Sequence, residues 1–386
     1  MFKIILIVFI IYFIGTLILF GVDFYFYLIE HYCRFHIGRF DNLEKWKKVV
    51  INKGRNWMIH TPTVRITDNN RYILMDMLTG QYRSNVIQSW QLGSLILGLE
   101  EYKNVYAKDV ERTIDRLIGE DGNFKKKPDS VDCGLLCYAI LKGSDSQKVK
   151  PAMDYAANLI IENIREDGMI AYTNAKNTQE RYVDTIGLVV PFLFLYSEKY
   201  YKPKVREIAF KQLTEFVKYG MEPSSNLPNH AYDAITKLPL GVYGWGRGCA
   251  WYCIGLLDSY QALGNGKDKE WIKNQMLFSA NQYAQYQQED GGFSYIVQMH
   301  KGYDSSVTAV MAYYYKKCYE IFGDKQYETI YLACLSKLKS VTRITGALDW
   351  CQGDTKGIGI FAVNYDIMPF AQGYLIRCME GKIRIE

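Results

Sequence analysis

The stretch RYVDTIGLVVPFLFLY, residues 181–196, decides the fold. Its polar approach ends at Asp184, and beyond Thr185 it is strongly apolar, with Pro191 inside the run, as in a buried helix opened by an aspartate. Earlier in the chain, SVDCGLLCYAIL at 130–141 has the same form, with Asp132 ahead of the apolar run. Two aspartates that each open an apolar helix after a polar loop place two carboxylates at one mouth of a helical toroid.

A weaker theme surrounds these helices: an acidic-Gly turn followed by an aromatic or aliphatic residue. It occurs as GEDGNF (119–124), REDGMIAY (165–172), QEDGGFSY (288–295) and, more loosely, QGDTKGIGIF (352–361). Between the turns lie stretches such as VIQSWQLGSLILGLEEY, PAMDYAANLIIENI and VTAVMAYYYKKCYEIF, with apolar residues three and four apart. A helical hairpin cannot bury its faces alone and must stack on the next, so the reading is an all-α closed ring of hairpins, an (α/α)6 barrel. The turns speak to fold alone and suit other helical toroids equally well.

Composition agrees. The chain has 386 residues, 49% of them hydrophobic and 15% aromatic with 32 Tyr, enough for a large core, and long for one domain unless the fold is a barrel or toroid. The formal charge of +5 is spread without a basic block in the body of the chain, which gives no support to nucleic-acid binding. Nine cysteines, an odd number, sit mostly in apolar periodic segments and read as reduced core thiols. Cys133/Cys137 and Cys249/Cys253 are spaced as helical neighbours, not as the turn-borne knuckles of a zinc site, so no metal is assigned.

From Ile4 to Val22 no residue is charged. At 1.5 Å per residue such a helix crosses a hydrocarbon core of about 30 Å. No small-x-small cleavage site follows, and the aromatic DFYFYLIEHY comes next, so residues 1–22 are read as a single-pass membrane anchor and not as a cleaved signal. Lys3 on one side is set against Arg34, Arg39 and further basic residues on the other, a near balance that leans slightly towards a cytoplasmic catalytic domain. Residues 23–55 are read as a connector whose amphipathic helix ends at Gly54 and lies either on anionic lipid or on the barrel; residues 56–386 are read as the catalytic domain.

A third element, HAYD at 230–233 followed by GWGRGCAW at 244–251, brings an imidazole, a guanidinium and two indoles together. Carboxylates, a cation and flat aromatic faces suit a sugar-acid site. With VDTIGLVVPFL at 183–193 and WGRG at 245–248, the chain resembles glycoside hydrolase families 88 and 105, the unsaturated uronyl hydrolases, over roughly residues 70–375. The resemblance independently implies the six-hairpin barrel, with Asp184 as proton donor and Asp132 as its partner carboxylate. Without it, each aspartate reads equally as a helix N-cap. His230 and Asp233 become site residues, and Arg247 a bidentate clamp for the substrate carboxylate. Trp245, Trp251, Tyr182 and Trp90 supply burial or stacking faces.

The implied reaction is hydration of an enol ether in an unsaturated uronide, and it requires neither metal nor organic cofactor. The chain departs from the family pattern at Cys249 and Ala250, where an amide-bearing residue and Gly usually precede the second Trp, and at Cys133 after Asp132. Two other readings therefore stand beside the first. One is action on an intact glycan during membrane-associated polysaccharide assembly; the other is a non-catalytic glycan-binding scaffold.

Overall fold

The computed structural model describes residues 1–62, 64, 68–69, 71–80, 87–173, 178–299 and 301–381. Three helices come first: α1 (Phe2–Arg34), α2 (Leu43–Ile59) and the short α3 (Ile73–Leu78). Hairpins then alternate: α4 (Ser89–Glu100) with α5 (Lys103–Leu117), α6 (Cys133–Gly143) with α7 (Lys150–Ile161), and α8 (Asp184–Tyr200) with α9 (Pro203–Tyr219). They continue with α10 (Gly246–Ala262) and α11 (Lys267–Ala284), then α12 (Ser305–Phe322) and α13 (Lys325–Ser340), and the chain closes on α14 (Pro369–Cys378).

Helices α4, α6, α8, α10, α12 and α14 contact one another in sequence, and α14 returns to α4, which closes an inner ring. The even-numbered helices of this ring are apolar all round because each touches two ring neighbours and an outer helix. In α8 nearly every residue from Thr185 to Ser197 is buried. Close approach within the ring depends on small residues. A Cβ on Gly134 would lie 2.4 Å from the carbonyl oxygen of Leu188, and one on Gly187 would lie 2.6 Å from that of Trp251. These glycines set the spacing of the helix starts that carry Asp132, Asp184 and Trp251.

All six inner helices begin at one end of the barrel, so the connections that precede them form its mouth. The acidic-Gly turns at 119–124, 165–172 and 288–295 lie there, each with glycine at positive φ (Gly122, Gly168, Gly291). The fourth turn of this kind is not QGDTKGIGIF. It is Thr342–Leu348, where Gly346 has φ of 85° and a bridge joins Thr342 to Leu348 just as bridges join Ile118 to Phe124 and Ile164 to Ile170. Residues 353–364 instead form a long loop closed at its base by β4 (Cys351–Gln352) paired with β5 (Tyr365–Asp366). A second small sheet, β1 (Glu180–Tyr182), β2 (Ala231–Asp233) and β3 (Pro239–Leu240), lies beside it at the mouth.

The amino-terminal segments differ from the sequence reading. The apolar helix does not stop at residue 22 but continues to Arg34, and none of its residues is buried. The amphipathic helix runs past Gly54, whose missing side chain admits Ile376 of α14, and buries Trp46, Val50, Ile51 and Trp57. It packs on α4 and α14, so the boundary drawn at residue 56 cuts through a barrel helix.

Candidate active site

A cavity of about 220 Å³ opens at the mouth, walled by Trp90, Tyr172, Thr173, Tyr182, Asp184, Leu188, His230, Arg247, Trp251 and the loop residues Asp354 to Gly357. The starts of α4, α8 and α10 and three of the mouth connections meet here. Asp184 occupies the first turn of α8, after the N-cap residue Val183, and Asp132, at the N-cap of α6, makes no side-chain cap bond. The N-cap reading therefore fails for both. Asp304 does cap, accepting from Ser306 N at 2.8 Å at the start of α12.

Asp184 is 15% exposed at its side chain, and its Oδ2 is buried without a hydrogen-bond partner among the described residues. Burial penalises the anion and Arg247 favours it, with Asp354 adding like-charge repulsion, and the carboxyl is pushed up to about 7. The indole N–H of Trp251 favours the anion slightly without forming a well-aligned bond. His230 is the nearest basic group, with Nε2 3.8 Å from Asp184 Oδ2. Its Nδ1 accepts from the backbone N–H of Gly359 at 3.2 Å, which places the ring proton on Nε2, facing the carboxyl. Burial first, then the charge of Arg247, lowers the imidazole to about 4, so it is neutral at physiological pH.

The aromatic walls are built in contact. Trp90 meets Trp251 edge-on at 5.6 Å between centroids, and Phe370 backs both, at 5.2 Å and 4.7 Å. Tyr172 and Tyr182 pack at 5.4 Å, and Tyr182 meets the edge of His230. Trp245 is not a wall of the cavity. It lies behind His230 at 4.5 Å, fixing the ring together with Phe361.

Two further expectations are corrected. Arg247 is buried and its fork is already engaged: Nη1 donates to Gln352 O and Nη2 to Gly353 O, each at 2.8 Å. It holds the backbone of the 353–364 loop, with its charge 3.9 Å from Asp354 Oδ1, and is not an open clamp. Asp233 lies in the β2–β3 hairpin, where its Oδ1 accepts from Ile235 N and Thr236 N, and takes no part in the cavity.

Asp132 also lies off the cavity wall, accepting from Ser89 Oγ at 3.2 Å, with its carboxyl raised by burial. The like charge that bears on Asp184 is Asp354, to which Gln88 Nε2 donates at 2.9 Å. Asp304 supports the same loop, accepting from Gln352 N at 3.0 Å, so Arg247 and Asp304 fix the carbonyl and amide sides of one short backbone segment. Arg343 ties its base, donating to Asp349 Oδ2 at 2.7 Å and to Asp366 Oδ1 at 2.9 Å.

The family model for Glycosyl Hydrolase Family 88 matches residues 79–348. The chain belongs to that family. This glycoside hydrolase is similar in fold to a possible family 105 member from Salmonella enterica serovar Paratyphi A, at 17% identity and a TM-score of 0.71 over 88% of this chain and 94% of that one. A possible family 105 member from Klebsiella pneumoniae gives 17% identity and a TM-score of 0.72, over 88% and 93% of the two chains. The unsaturated glucuronyl hydrolase of Bacillus sp. GL1, responsible for glycosaminoglycan degradation, gives 17% and 0.60, over 87% and 94%. The six-hairpin α/α barrel is thereby established. No curated protein sequence matches this one.

Asp184, His230, Arg247, Trp90, Trp251 and Tyr182 line one cavity. Tyr172 and Asp354 were missed as site residues, although both lie in stretches noted as turns. All nine cysteines are unpaired, and Cys249 and Ala250 are buried in α10, behind the cavity rather than on its wall. Among the described residues no cluster of His, Cys, Asp and Glu could hold a metal ion.

Proposed function

We propose that this glycoside hydrolase acts on an oligosaccharide ending in a 4,5-unsaturated uronic acid, with Asp184 as the proton donor. The observation that carries the reading is a buried carboxyl oxygen, free of protein partners among the described residues, that faces the cavity beside a neutral His230. A carboxyl raised to about 7 retains its proton near neutrality, as a general acid requires. Asp184 gives that proton to C4 of the enol ether; the positive charge forms at C5 and is shared with the ring oxygen. The carboxylate left behind takes a proton from water as the water oxygen bonds to C5. The resulting hemiketal opens and releases the neighbouring sugar, so one water is consumed and Asp184 ends protonated.

Trp90 and Trp251 offer apolar faces to the sugar ring, while Arg247, its fork held by the loop backbone, and Lys356 put positive charge on the cavity wall that suits a uronate. Family resemblance adds support, since the Bacillus relative bears the name of this activity. Incubating the purified protein with an unsaturated uronyl disaccharide and following the absorbance of the conjugated double bond tests it. Loss of absorbance is expected; retention of the band, with release of sugar from a saturated glycan, overturns it.

The second element of the proposal is that α1 anchors the enzyme. Its apolar run is unburied and long enough to cross a bilayer. The full-length protein is expected to stay with membranes through a carbonate wash, and recovery of a mature chain lacking the run overturns this.

A further inference from the structure

Helix α1 is not a free tether; it is fixed to the barrel at two places, and both belong to the mouth. Near its end, Arg34 makes a bidentate pair with Asp349 at 3.0 and 3.1 Å and donates to Tyr365 O at 3.0 Å, at the base of the loop that carries Asp354. Three turns earlier, Asp23 accepts from the backbone N–H groups of Tyr72 at 2.7 Å and Ile73 at 2.9 Å, capping α3 in the connection that leads to α4 and Trp90. One turn further towards the amino terminus, Phe20 of the apolar run lies 6.4 Å from the Tyr72 ring. The start of α3 is therefore level with the point where α1 would enter hydrocarbon.

At that level the barrel presents apolar surface to the outside. Tyr72 at the cap of α3 and Met75, Met77 and Leu78 within it are all exposed, Leu78 to 72%, and Val363 of the 353–364 loop, which lines a cavity along α1 together with Asp23 and Ile73, is also 72% exposed. Asp76, the acidic residue of α3, is turned inward and buried. Apolar surface of this kind disfavours water at about 25 cal/mol per Å². Its continuity with a membrane-spanning helix identifies what covers it. An interfacial segment of this composition settles at the boundary of headgroups and acyl chains.

We propose that the mouth end of the barrel is its membrane-facing end, with α3 and the outer edge of the 353–364 loop seated in the lipid surface beside α1, so that the catalytic cavity opens next to the bilayer. The proposal rests on the reading of α1 as an anchor but does not depend on the substrate.

The test uses full-length protein in phosphatidylcholine–phosphatidylglycerol vesicles. A bimane fluorophore is attached to Leu78→Cys or Val363→Cys in a Cys33→Ser background, the other native cysteines being buried. Tyr201→Cys, in the α8–α9 turn at the opposite end of the barrel and 90% exposed, serves as the reference. Lipids carrying a nitroxide at a shallow acyl position are expected to quench the probes at 78 and 363 several-fold more than the probe at 201. Equal, weak quenching at all three, in protein that resists a carbonate wash, overturns the proposal and leaves the anchor standing. Protein that washes off removes both.

Discussion

His230 Nε2 lies 3.8 Å from Asp184 Oδ2 with its proton directed at the carboxyl. The contact is too long for a strong hydrogen bond, and it leaves room for the carboxyl to reach substrate without first breaking a protein bond. If Asp184 is the donor, Asp184→Asn lowers kcat by at least about a hundredfold, because Asn has no proton of suitable acidity to give. A steady-state assay on an unsaturated uronide decides this; wild-type turnover would remove Asp184 from the chemistry.

The same substitution has a stability signature with a definite sign. Asp184 is raised from 3.8 to about 7 on folding, so its favourable contribution is complete below about pH 4 and is lost as the pH rises through 7. Asn has no charge to bury. Thermal melts of the two proteins are expected to agree at pH 4 and to separate in favour of the variant at pH 8. A variant that melts lower at pH 8 would mean that the ionised carboxylate is well compensated.

The basic limb of the pH–rate profile reports the same group. Asp354→Asn removes a like charge and moves that limb to lower pH, because the remaining carboxyl ionises more easily. Asp132→Asn, whose carboxylate faces Ser89 off the cavity wall, leaves the limb nearly in place. A larger shift for Asp132 than for Asp354 would reverse the assignment.

Arg247→Lys retains charge but cannot span the carbonyls of Gln352 and Gly353. A pure substrate clamp would show a rise in KM alone. Loop support predicts a fall in kcat as well, with kcat/KM lowered about tenfold or more, about 1.4 kcal/mol, together with faster amide exchange across residues 352–357. Hydrogen-exchange mass spectrometry separates the two.

Truncation distinguishes anchor from barrel. A chain beginning at Asp23 keeps the cap on α3 and the Arg34–Asp349 pair and is expected to be folded and soluble. One beginning at residue 56 loses buried Trp46, Val50 and Ile51, each worth about 1.5–3 kcal/mol, and is expected to aggregate or melt far lower. Circular dichroism melts of both compare them directly.

The helical ring was legible because its signals are local. The apolar helix of 184–200 and the turns around Gly122, Gly168 and Gly291 each declare themselves within a few residues. The fourth turn escaped because Gly346 follows Thr345 where the others have aspartate, while Gly-rich 352–361 imitated the pattern. Family motifs pointed to Asp184, His230 and the two edge-on indoles of Trp90 and Trp251, all of which line the cavity. They did not point to Asp354, since its role arises from a long-range meeting with Gln88 and Arg247 that no spacing encodes. For Arg247, sequence conveys the guanidinium but not what occupies it.

The guanidinium of Arg343, bonded at once to Asp349 and Asp366, closes the neck of the 353–364 loop. A loop of that length left open would sample many shapes, and a ligand would have to select one of them at an entropic cost. With the neck stapled, that ordering is completed during folding, before any sugar arrives. Affinity then reflects contacts made by an already shaped rim. A change at Arg343, on the barrel side of the neck and outside the cavity wall, would weaken substrate binding by restoring freedom, without removing a single atom that touches the sugar.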